Sequence, residues 1–148
     1  MPTVNVVERS ATPNIRLGIV TGLITAVILY LWYLLAQAGS PKPFLSEAAL
    51  ISGNDAFHGN QTTYWLVGTI GHFLGWLLTG VVFAVTWPHI RKRGMFLPTL
   101  LFFMAGYVVI QIFGRLYASE FPDNFPDVVF FFAAIIAAIV FTYRFRRE

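Results

Sequence analysis

One of the three histidines, His72, falls inside a long apolar run, YWLVGTIGHFLGWLLTGVVFAVTW at residues 64–87; His58 and His89 stand in polar surroundings. An imidazole among lipid tails is costly unless it is paired or used. Its ring offers three kinds of chemistry: ligating a metal or macrocycle, passing a proton, or hydrogen-bonding one helix to another. Gln111, Arg115 and Tyr107 are the residues that depth brings to it. They share one side of the run at 96–117. In antiparallel neighbours, at ~1.5 Å per residue, Gln111 lies about 9 Å and His72 about 12 Å below a common boundary. A His72–Gln111 hydrogen bond is expected, with Tyr107 below it and Arg115 above; alternatively Arg115 turns outward to Glu120 or Asp123. As polar glue, such bonds are worth roughly 0.6–2 kcal/mol each. As a pocket, the same residues would hold an anionic head group on Arg115 and leave His72 to ligate or exchange protons.

The rest of the sequence narrows the chemistry. Cysteine is absent, which removes disulfides, thiolate metal sites, iron–sulfur clusters and thiol nucleophiles together. No zincin, nucleophile-elbow, P-loop or EF-hand pattern occurs, and no catalytic residue is assigned. Asp55 and His58, at i and i+3, could share a metal, but a solvated loop accounts for them equally and no metal site is assigned. A lone deep histidine does not give bis-histidine haem ligation within one chain. A dimer, or single-histidine ligation of haem or chlorophyll, stays open, since Gly68, Gly71 and Gly75 would let a flat macrocycle approach the backbone. No cofactor is assigned.

Positioning His72 falls to helices in a membrane. A hydrophobic fraction of 57% against 11% charged residues lies outside the range of soluble domains. The expected fold is an all-α membrane protein, four antiparallel transmembrane helices in a bundle, with one domain over residues 1–148. The spans fall at about 15–37, 64–87, 96–117 and 126–143, each long enough to cross a core of about 30 Å. The last reaches that length only if Pro126 and Asp127 open its helix. In the second span Gly68, His72, Gly75, Thr79 and Thr86 share a narrow face with Gly71 on its flank, opposite Leu66, Ile70, Phe73, Leu77 and Val81. In the first, Gly18, Thr21, Gly22 and Thr25 share a face; in the last, Ala133, Ala134, Ala137 and Ala138 do. Helices in lipid associate through small residues, so Gly18, Gly22, Gly68, Gly71 and Gly75 are expected at helix contacts.

The connections carry the topology. Pro88 is expected to end the second span, and Ser46 with Glu47 to start a short surface helix lying along the membrane face. Ala36-Gln37-Ala38 matches a signal-peptidase site, but an apolar region of roughly 20 residues exceeds the usual 7–15 of a signal core, so the first span is expected to remain. Asn60-Gln61-Thr62 is a glycosylation sequon, relevant only in a eukaryotic secretory setting. Basic residues cluster at Arg9 and Arg16, at Arg91–Arg93 and at Arg144–Arg147, whereas the loops at 38–63 and 118–126 are acidic and contain only Lys42. The positive-inside rule therefore puts both termini in the cytoplasm. The net charge of +3 belongs to this pattern, not to a nucleic-acid footprint.

The stretch Gly18–Thr25 and the motif GTIGHFLGWLLTGVVFAV resemble the small bacterial inner-membrane proteins of YagU type, over about the first 90 residues. The resemblance implies the fold and an inner-membrane location, and would carry over one residue, His72; it implies no particular chemistry. The expected function is a non-enzymatic accessory or structural subunit, or a binder of a lipid-like ligand. Its partners would be membrane lipids, other membrane subunits or a second copy, and no nucleic acid. The alternatives are a haem- or chlorophyll-binding redox or pigment subunit using His72, and a small oligomeric transporter around Gln111, Arg115 and His72.

Overall fold

The computed structural model describes residues 12–36, 42–91, 94–121 and 128–147. The expectations that rest on Arg9, Gln37, Ala38, Lys92, Arg93, Asp123, Pro126 and Asp127 lie outside the described residues. Six helices follow one another: α1 (Ile15–Ala36), α2 (Lys42–Ser52), α3 (Asp55–His58), α4 (Gln61–Ile90), α5 (Phe96–Tyr117) and α6 (Val128–Phe145). Among the described residues α1, α4, α5 and α6 are long and apolar enough to cross a membrane. These are the four spans of the sequence.

Their ends follow from local chemistry. Asn14 accepts the Leu17 N–H on its side chain at 3.0 Å and so starts α1. Asn60 caps α4 in the same way, accepting from Thr62 N at 3.0 Å and Thr63 N at 3.3 Å. The helix thus begins three residues before the apolar run. Pro88 does not end it: α4 continues to Ile90, because a proline in the last turn forfeits one hydrogen bond while the Arg91 N–H still closes on Trp87 O.

Packing runs in the order α4, α1, α6, α5, with α1–α4 the most extensive interface. Gly18 sits where a Cβ would strike the Gly80 carbonyl, and Gly22 where it would strike that of Trp76. The two backbones are antiparallel and in contact, which only glycine at these positions permits. Ala133, Ala134, Ala137 and Ala138 are all buried on α6. At the end of the bundle where α1 begins and α6 ends, Phe83 meets Phe141 at 4.7 Å and Phe145 at 5.1 Å, with Phe103 stacked at 5.9 Å. Consecutive α4 and α5 meet there through these large rings. At the other end α2 packs against both α4 and α5.

Two expected faces differ from those observed. The buried residues of α4 are Gly68, His72, Gly80, Phe83, Ala84 and Trp87; Gly75 is exposed, with nothing within 4 Å of where its Cβ would be. The threonines misplace the face in sequence. Thr79 donates its hydroxyl to Gly75 O at 2.8 Å, and Thr86 to Phe83 O at 3.0 Å, so each is satisfied on its own helix and needs no interior. Phe73, Leu77 and Val81, expected opposite, are half-buried.

Candidate functional site

His72 is positioned by three glycine contacts and one inserted helix. Because Gly22 and Gly80 draw α1 onto α4, the Ala26 carbonyl comes within 3.0 Å of His72 Nε2. A carbonyl oxygen only accepts, so Nε2 carries the hydrogen and donates it. Gly68 then lets α2 in: the Phe44 carbonyl occupies the place of a Cβ at that position. Seated there, α2 brings Glu47 Oε1 to 3.6 Å from His72 Nδ1. The helix expected along the membrane face is folded into the bundle, with Phe44, Ala48 and Ala49 buried, because Gly68 and Gly71 leave a groove on α4 that it fills.

Aromatic rings close the site. Tyr33, Phe44 and Phe73 stand edge-on to the imidazole at 5.7–5.8 Å between centroids, with Tyr30 at 6.2 Å and Trp76 at 6.4 Å. The His72 side chain is 1% exposed and that of Glu47 19%, and Glu47 Oε2 is buried with no hydrogen-bond partner among the described residues. A full ion pair at this separation would gain about 4–5 kcal/mol at an effective dielectric of ~20. Removing each ion from water costs several kcal/mol, so the terms roughly cancel and the pair fixes the seat of α2 more than it stabilises the fold.

The expected His72–Gln111 hydrogen bond is not formed. His72 is taken by Ala26 and Glu47, and Gln111 is buried with Oε1 lacking a partner among the described residues. The physical reason is that α1 and α2 reach the ring first, both drawn in by glycines. Tyr107 is buried and stacks on Phe130 at 4.7 Å, which in turn lies 5.8 Å from Tyr33. Arg115 is exposed on α5. His58 pairs with Glu120 at 2.7 Å. Beside it Asn54 donates to Ser119 Oγ at 2.8 Å, so the turn before α3 is latched to the loop after α5.

Glu47 is the site residue that the sequence reading left on the surface. Its signal was present: Phe44, Glu47 and Ile51, at i, i+3 and i+7, put the carboxylate on the apolar face of its helix. As packed, the imidazole presents neither nitrogen for an axial bond to a macrocycle. The crevice lined by Thr12, Trp87, Pro88 and Phe145 holds about 20 Å³ and lies at the opposite end of the bundle. That is room for about one water molecule.

Fold and site define a class: a multi-pass helical protein in which, among the described residues, four helices are long and apolar enough to cross a membrane and a buried imidazole faces a partly buried carboxyl group on another helix. No family model, curated protein or solved structure matches the chain.

Proposed function

We propose that the chain is a non-enzymatic accessory subunit of a membrane assembly, in a bacterial inner membrane with both termini cytoplasmic. The observation that carries this reading is a pair of bare glycines on the outside of the bundle. Gly75 of α4 and Gly106 of α5 have nothing within 4 Å of where a Cβ would sit. Glycine inside a helix costs about 1 kcal/mol relative to alanine, and in lipid it gains only where another helix approaches closely. The interior is consistent with the same reading, since His72 is engaged between α1, α2 and α4 while large apolar side chains such as Leu74 and Leu78 stay outside to meet lipid. The rings around His72 leave its side chain 1% exposed, which favours a packing role for the imidazole over the alternatives that use it as a ligand.

Location and orientation rest on the basic clusters and on the resemblance to the YagU-type proteins. The test is the mass of the protein extracted from native membranes in mild detergent. An assembly larger than the 16.6 kDa chain is expected, and Gly75→Leu with Gly106→Leu should release the chain from it. A monomer from native membranes would contradict the proposal.

A further inference from the structure

We infer that the crevice between Trp87 and the start of α1 binds a phosphate group, one oxygen of which accepts a hydrogen bond from the Trp87 indole. An orphaned donor points to it. Trp87 is 4% exposed and lines the crevice, and its Nε1–H is buried with no acceptor among the described residues. An indole nitrogen only donates, and a buried donor left unmatched is costly enough that native structures rarely keep one. The crevice volume of about 20 Å³ admits a single oxygen, while the rest of a larger group stays at the mouth.

The lining selects an anion over a neutral acceptor. Arg91 contributes a guanidinium, which only donates and keeps its charge. Thr12, Pro13 and Asn14 lead into α1, whose 22 residues put the positive end of a helix dipole beside the crevice. The Asn14 side chain already accepts the Leu17 N–H, so the helix supplies its field rather than that donor. Among the described residues this end of the bundle carries Arg16, Arg91, Arg144, Arg146 and Arg147 and no carboxylate, because Glu47, Asp55 and Glu120 stand at the other end. A lone water would satisfy the indole without using that charge. Here α1 begins and α4 and α6 end, so the crevice lies at the depth of lipid head groups once these helices cross a membrane. The site needs only that crossing and is independent of the assembly proposed above. Its phosphate comes either from an anionic lipid head group or from solution.

Indole nitrogen-15 and proton spectra of the delipidated chain in maltoside detergent, which carries no phosphate, test this. Trp32→Phe, Trp65→Phe and Trp76→Phe each remove one of the other three indole signals, so that of Trp87 is assigned without disturbing it. Phosphatidylglycerol is added to the micelles in one titration and inorganic phosphate in another. A saturable downfield shift of the Trp87 N–H with phosphatidylglycerol alone identifies a lipid head group. The same shift with inorganic phosphate identifies a free ion, and either result supports the site. Arg91→Gln should raise the midpoint about tenfold, the effect of losing one charge-assisted hydrogen bond. No shift in either titration overturns the inference, and so does a midpoint that Arg91→Gln leaves unchanged. If Arg91→Gln does not fold, the two wild-type titrations decide alone.

Discussion

Replacing Glu47 separates what its carboxyl does for His72 from what its side chain does for packing. Glu47→Gln keeps the shape and can donate an amide N–H to Nδ1, whereas Glu47→Ala leaves the nitrogen buried beside a gap. Thermal unfolding in detergent should show Glu47→Ala losing about 1–3 kcal/mol, the cost of a buried polar group left unmatched, and Glu47→Gln less than half of that. Equal losses would mean that the carboxyl does nothing for the ring. Asn60 offers a second residue-level test. Asn60→Ala should cost about 1 kcal/mol and speed amide exchange at Thr62 and Thr63, with Asn60→Asp restoring both. Unchanged exchange would show that the cap is idle. That His72 turns inward was legible in the sequence, because an imidazole in lipid must find a partner. Which partner was not legible: depth nominated Gln111, but the ring is held by a backbone carbonyl, and any residue can supply one of those.

Helix contacts make a sharper distinction between glycines that look alike in sequence. Gly22→Val and Gly80→Val each drive methyl groups into the facing backbone of the α1–α4 interface and should lower stability by about 2 kcal/mol or more. Gly75→Val meets nothing and should change stability by well under 1 kcal/mol, the difference in helix preference alone. Similar losses at all three positions would contradict the packing described. Reading the spans required only length and hydropathy, which is why four helices long and apolar enough to cross appear among the described residues, although α4 runs three residues further at each end and α6 reaches its 18 residues by continuing to Phe145. Assigning the inward face of α4 required knowing what the threonines do with their hydroxyls. Thr79 and Thr86 bond to their own helix, so polarity pointed away from the true interior, which Phe83 and Trp87 fill.

For the molecule as a whole, the sequence suggests that consecutive spans pack on one another. The structure keeps the consecutive pairs α1–α4 and α5–α6 but joins them chiefly through α1 and α6, while α2 lies against α4 and α5. Nothing in the hydropathy of residues 42–52 distinguishes a helix resting on a membrane from one folded into a bundle; the groove that receives it lies on another helix, at Gly68 and Gly71. Orientation has a direct test because the chain has only two lysines, Lys42 and Lys92. An impermeant amine reagent added to the periplasmic side of intact cells should reach Lys42 and leave Lys92 unmodified. Labelling of Lys92 from that side would reverse the topology and with it the cytoplasmic termini.

The insertion of α2 against α4 is what brings Glu47 to His72, and a single cross-link measures it. A Cβ built at Gly71 lies 3.9 Å from the Glu47 Cβ, within the range of about 3.5–4.5 Å that a disulfide spans. In a chain with no native cysteine, Glu47→Cys with Gly71→Cys should close to a disulfide on mild oxidation, seen as near-complete loss of maleimide-reactive thiol. Glu47→Cys with Gly75→Cys should stay reduced. Two thiols that remain reactive in the first variant would contradict the docking of α2 and everything argued from it.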